Sequence, residues 1–255
     1  MTQFNGKYYL FGNWKMYLDL EESQVLAKAL KKDAHKFGEE IKMAVFPSSL
    51  SITMVKEILE GSGIGIGAQN AYWVDKGGYT GEVSDVMYKK IGCEYILVGH
   101  SERRHQFHET DHEVRQKMEA VLDAGLSPVL CVGETQKERA EGKEKEVVEI
   151  QLRTALDSLN LPKGHELVVA YEPVWAIGTG EACDPSEAEY MHELILKICD
   201  KLLPGVSVVL LYGGSVRPEN VAGYLTQKNV HGVLVGGAST KHDEWLEITK
   251  HAQTK

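Results

Sequence analysis

Apolar positions along this chain fall into two textures that alternate. Short runs such as "YILV", "SPVLCV" and "ELVVAY" are apolar at nearly every position, while longer stretches between them carry apolar residues every three or four positions. The first texture marks strands buried on both faces and the second marks amphipathic helices. Strands are predicted over 8–14, 42–46, 63–68, 95–98, 127–132, 167–171, 206–212 and 232–235. Helices are predicted between them, among others over 21–36, 114–124, 145–159 and 187–202. Asp111 and Asp184-Pro185 read as helix starts, Gly38 and Gly125 as stops.

Eight strand–helix units follow one another with no linker or break in composition, which predicts one domain over residues 1–255. Doubly buried strands separated by helices imply a parallel sheet, and eight units in a chain of this size suit a closed (β/α)8 barrel. An open doubly wound sheet is the alternative that the same pattern allows. In a barrel, the residues just after each strand share one rim. Here they include Asn13 and Lys15 after the first strand, His100 and Glu102 after the fourth, and Glu172 after the sixth. Gly213-Gly214-Ser215 follows the seventh and Gly236-Gly237 the eighth. A carboxylate, an imidazole, an ammonium and backbone-rich turns are therefore expected to converge.

Each of these groups also has a structural reading, and the local sequence weighs between the two. Glu172 opens "EPVWAIGTG", in which stiff Pro173-Val174-Trp175 precedes the flexible Gly178-Thr179-Gly180. That order suits a base covered by a moving flap, whose burial makes a carboxylate more basic. His100 precedes a candidate helix at Ser101–Glu102, whose N–H groups disfavour an imidazolium and leave a neutral ring able to polarise a carbonyl. Lys15 supplies positive charge beside Asn13; Glu102 is either its functional partner or one half of an ordinary ion pair. "YGGSV" and "LVGGAS" are glycine turns leading into helices, the kind of backbone that binds phosphate.

Charge and cysteine usage narrow the partners. Formal net charge is −9 over 255 residues, which argues against a general affinity for nucleic acid or acidic lipid. A small anion would need a local cluster of donors. No run of 18 apolar residues occurs, so no membrane span is expected, and the N-terminus lacks signal-peptide character. The four cysteines form no CxxC pair and read as free thiols of a reducing cytosol.

Two motif matches fail on context. "HETDH", from His108 to His112, fits H-E-x-x-H, but Asp111 reads as a helix cap and leaves His108 outside the helix, so no metal is expected. "GIGIGA", from Gly63 to Ala68, fits G-x-G-x-x-A with its glycines inside a strand rather than after it.

With these motifs assembled, the chain resembles the triosephosphate isomerase family over nearly its whole length. "GNWKM", "GAQN", "YTGEVS", "VGHSERR", "YEPVWAIGTG", "YGGSV" and "LVGGAS" occur in the family's order. The resemblance implies interconversion of dihydroxyacetone phosphate and D-glyceraldehyde 3-phosphate without a cofactor. It implies that Glu172 moves the proton, that His100 and Asn13 hold the enediolate oxygens and that Lys15 adds charge; a neutral histidine in this role is an established pattern of the family. Phosphate would be held by Gly178, Ser215, Gly236 and Gly237, under a lid running from Pro173, Val174, Trp175, Ala176, Ile177, Gly178, Thr179 and Gly180 to Glu181, Ala182 and Cys183. The small Ala182-Cys183 pair would let the lid's far end swing. A homodimer is implied too, with the loop of Thr80 reaching the neighbouring site. The alternatives are another sugar-phosphate barrel enzyme or a non-catalytic sugar-phosphate binder.

The chain departs from the family's pattern in three places. Glu181-Ala182-Cys183 stands where relatives usually have Lys-Thr-Ala, and Tyr17 where many have Asn. Leu196, Asn229 and His231 stand where an Arg and acidic partners are frequent, so a familiar ion pair is expected to be missing.

Overall fold

Successive side chains of most strands alternate between two hydrophobic clusters, and that alternation generates the architecture. The computed structural model describes residues 6–162, 164–178 and 182–253. Its strands are β1 (Tyr8–Asn13), β2 (Ile41–Phe46), β3 (Gly65–Ala68), β4 (Tyr95–Val98), β5 (Ser127–Val132), β6 (Glu166–Tyr171), β7 (Ser207–Tyr212) and β8 (Gly232–Val235). They pair in sequence order into a closed barrel, with β1 also pairing β8, and every ladder is parallel. The open-sheet alternative is thereby excluded.

One set of side chains fills the barrel. Tyr9 and Phe11, Ala44 and Phe46, Tyr95 and Leu97, Val129 and Cys131, Val168 and Ala170, Val209 and Leu211, and Leu234 form a separate buried cluster. Their spacing of two is the strand period. The intervening residues, such as Leu10, Val45, Ile96, Leu130, Val169, Leu210 and Val233, join the helices in the larger cluster outside. Phe11 is the hub of the interior, with ring centroids 5.5 Å from Phe46 and 4.8 Å from Tyr95. Gly67 is required by this packing, since a Cβ there would lie 2.2 Å from the Phe46 ring. The glycines of "GIGIGA" thus serve the barrel wall.

Helices lie between the strands in the chain. Leu20–Asp33 opens with a capping box in which Asp19 and Glu22 satisfy each other's backbone N–H groups. Asp184 caps Pro185–Leu202 by accepting from the Ser186 N–H. Thr110, not Asp111, caps Asp111–Asp123, through a capping box with Glu113. His108 has a φ of 57° in the connection before it, so His108 and His112 do not share a helical face.

Candidate active site

At the C-terminal ends of the strands, a pocket of about 990 Å³ is lined by Asn13, Lys15, His100, Glu172 and Gly178 together with Gly213-Gly214-Ser215 and Gly236-Gly237. Every residue expected on the rim from strands one, six, seven and eight therefore reaches one cavity, as does His100 from the fourth. Glu102 lines the adjoining cavity with Lys15.

His100 is placed by the end of β4. Gly99 takes a positive φ of 72°, and the helix Ser101–Gln106 begins directly after His100. The ring's Nδ1 accepts the Glu102 backbone N–H at 3.2 Å. An acceptor at Nδ1 fixes a neutral ring whose proton sits on Nε2. That Nε2 lies 3.1 Å from Glu172 Oε1. The other carboxylate oxygen of Glu172 accepts the Ser101 backbone N–H at 2.8 Å. Glu172 is only 2% exposed, so these donors stand in for water.

Lys15 owes its position to its own backbone. Its φ of 49° is in the left-handed region, which non-glycine residues seldom occupy. Asn13 Oδ1 accepts the Lys15 N–H at 3.0 Å, and Gln69 donates from one side-chain nitrogen to the carbonyls of Lys15 (2.7 Å) and Phe46 (2.9 Å). The ammonium then forms a 2.6 Å ion pair with Glu102. The glycine turns are close-packed around these groups: a Cβ on Gly213 would lie 2.9 Å from Glu172 Cγ, and one on Gly236 3.2 Å from Lys15 Cε.

A neutral imidazole, an ammonium and a buried carboxylate facing glycine turns can accept a proton from carbon while holding oxyanions and a phosphate. Comparison with known proteins agrees with this chemistry. The family model described as triosephosphate isomerase matches residues 8–252. The chain belongs to the triosephosphate isomerase family. Membership makes it an isomerase. The triosephosphate isomerase of Dehalococcoides mccartyi (strain CBDB1) is 43% identical over 244 residues, covering 94% of each chain. That of Carboxydothermus hydrogenoformans is 42% identical over 248 residues, covering 96% of this chain and 98% of the relative. That of Roseiflexus castenholzii is 40% identical over 242 residues, covering 94% and 95%.

Of the lid expected from this family, Pro173–Gly178 and Ala182-Cys183 are described, whereas Thr179, Gly180 and Glu181 lie outside the described residues. Val174–Ala176 is one turn of 3-10 helix. Its Trp175 donates from the indole N–H to Glu134 at 2.8 Å, Arg139 stacks over the indole at 4.6 Å, and Val174 N–H bonds the Glu134 carbonyl. Glu134 is wholly buried, which raises its carboxyl above the usual range, against hydrogen bonds from Trp175 and Tyr171 that hold it down. Of the N–H groups expected at the His100 ring, that of Glu102 is there and that of Ser101 goes to Glu172 instead. Gln69 and Glu134 carry no role in the sequence reading, although Glu134 stands just after the fifth strand, where the rim rule points.

Among the departures, Tyr17 is exposed and lines the pocket. Leu196 packs against the outer core, Asn229 bonds Glu189 through its side chain at 2.6 Å, and the buried His231 accepts the Leu210 N–H at 3.0 Å. Thr80 is exposed at the tip of its loop.

Proposed function

We propose that this chain interconverts dihydroxyacetone phosphate and D-glyceraldehyde 3-phosphate through an enediolate, with Glu172 as the base. The observation that carries the reading is the contact between a buried Glu172 and a neutral His100 on the pocket that the glycine turns close. A substrate carbonyl arriving at His100 Nε2 takes over the hydrogen bond now made to Glu172. The carboxylate, released from His100 and Ser101, takes a proton from the carbon beside the carbonyl and returns it to the neighbouring carbon. Asn13 uses its oxygen on the Lys15 N–H, so its NH2 group remains to donate to the second enediolate oxygen. Lys15, held by Glu102, balances the negative charge that develops.

Phosphate would be gripped by backbone N–H groups of Gly178, Ser215, Gly236 and Gly237, and the proton transfers require no cofactor. The single barrel acts as a homodimer in this reading, with the exposed loop of Thr80 entering the partner's site beside Lys15. Four buried, unpaired thiols suit a cytoplasmic location without disulfides, and the charge balance suits neither nucleic acid nor membrane. Among the described residues, no helix is long and apolar enough to cross a membrane. A coupled assay of triose phosphate interconversion by the purified chain, run with a chelator, tests the proposal; absence of turnover would overturn it.

A further inference from the structure

A pair of stacked tyrosines joins the phosphate turn to the far end of the segment that follows Gly178. Tyr212 is the last residue of β7 and leads directly into Gly213-Gly214-Ser215. Tyr224 comes from the helix Pro218–Leu225, two turns after the phosphate turn. Their rings stack with centroids 3.9 Å apart and planes at 16°, and both residues are buried. The Tyr224 hydroxyl donates to the main-chain carbonyl of Cys183 at 2.5 Å.

Both ends of this pair are fixed. Cys183 is buried and is followed at once by Asp184, which caps the helix Pro185–Leu202. On the other side, a Cβ on Gly214 would lie 2.2 Å from the Tyr212 hydroxyl, so the phosphate turn rests directly on that ring. Packing alone does not call for the Tyr224 hydroxyl, since an apolar side chain would fill the inward face of its helix. Buried hydroxyls are seldom left without a partner, and this one finds a carbonyl outside any regular element. Ala182 lines the pocket and Cys183 does not, so the chain is anchored one residue behind the pocket wall.

We propose that Tyr224 is a positioning residue for the phosphate end of the site. Its O–H fixes Cys183, and its ring fixes Tyr212 and with it Gly214-Ser215. Cys183 then stays with the barrel instead of swinging. Contacts to the non-reacting phosphate hold the substrate at the base, so loosening them costs turnover of phosphorylated substrate alone. The inference rests on the isomerase reading above.

Tyr224→Phe keeps the stack and removes the donor. For this variant, kcat/KM for D-glyceraldehyde 3-phosphate should fall about 3- to 10-fold, chiefly through KM, the loss expected for one neutral hydrogen bond. Turnover of unphosphorylated D-glyceraldehyde, followed by exchange of its carbon-bound hydrogen, should match the parent, and the affinity for inorganic phosphate should weaken by the same factor. Equal losses on both aldehydes, or a lower melting temperature with unchanged KM and phosphate affinity, would overturn the proposal. Tyr224→Met also lacks the donor and is judged by the same criterion if the first variant does not fold. A parent chain that binds phosphate but isomerises neither aldehyde would instead sink the isomerase reading, and the phosphate affinities would still decide the role of Tyr224.

Discussion

Glu172 and His100 face each other across 3.1 Å, carboxylate oxygen to Nε2, while the second carboxylate oxygen rests on the Ser101 N–H. Both side chains hang from strand ends, β6 and β4, which are not neighbours in the barrel. In the function proposed above, this carboxylate rests on the group that would polarise the substrate carbonyl, and arrival of that carbonyl would free it.

Glu172→Gln preserves the shape of the side chain but has no site for a proton. A general base contributes roughly 10²–10⁴-fold, so kcat should fall at least that far. Circular dichroism should show the fold unchanged. A variant within tenfold of the parent would remove Glu172 from the role.

Lys15→Met tests the local positive charge. The substrate is a dianion and the protein carries a formal charge of −9, so attraction must come from Lys15 and the backbone donors at short range. The variant also leaves Glu102 without the 2.6 Å partner that it now has. Both KM and kcat should be severely impaired, most of all at low ionic strength. Unchanged kinetics at low salt would count against the assignment.

The sequence made the barrel legible because doubly buried strands and amphipathic helices differ in period. The boundaries of β4, β5 and β8 are those the apolar runs predict. Deviations occur where backbone decides. The third strand starts at Gly65 rather than at 63, because Gly63 turns with a φ of 79°. The first helix leaves the α conformation at Asp33, and residues Ala34–Lys36 tighten into 3-10. Side chains at strand ends were legible because a barrel aims them at one rim. The bond from the Ser101 N–H to Glu172 was not, since the sequence places that N–H beside His100 and any residue offers one. Gln69 was not either, because it serves the unusual backbone of Lys15, which no residue pattern announces.

Thr80→Arg tests the homodimer. Thr80 is exposed in the single chain, so a larger, charged side chain there should leave the barrel intact. In a partner's pocket it would meet Lys15 and Arg103, which line the cavity beside the site. Sedimentation should show weakened association together with reduced activity, because the surroundings of Lys15 lose outside support. A fully active native monomer, in the parent or the variant, would contradict the dimer.

Acid stability should depend on His192 and His231, two imidazoles enclosed near the outer layer of β6 and β7. Burial pushes each down from 6.5 to about 4. Geometry gives the same direction for His231, whose Nδ1 accepts the Leu210 N–H; a proton there would set two donors against each other. His192 donates from Nδ1 to the Asn229 carbonyl, while its Nε2 is buried without a hydrogen-bond partner among the described residues. Folded values lie below unfolded ones, so on acidification the unfolded chain takes up protons first. Stability should therefore be undiminished above about 6.5 and fall as pH drops toward about 4. Each histidine contributes at most about 1.4 kcal/mol per pH unit within that window. His231→Asn retains an oxygen for the Leu210 N–H and does not titrate. Urea unfolding at fixed protein concentration, compared between pH 7 and pH 5, should show a shallower loss for His231→Asn than for the parent. Parallel pH profiles for the two proteins would mean that His231 does not set the acid limit.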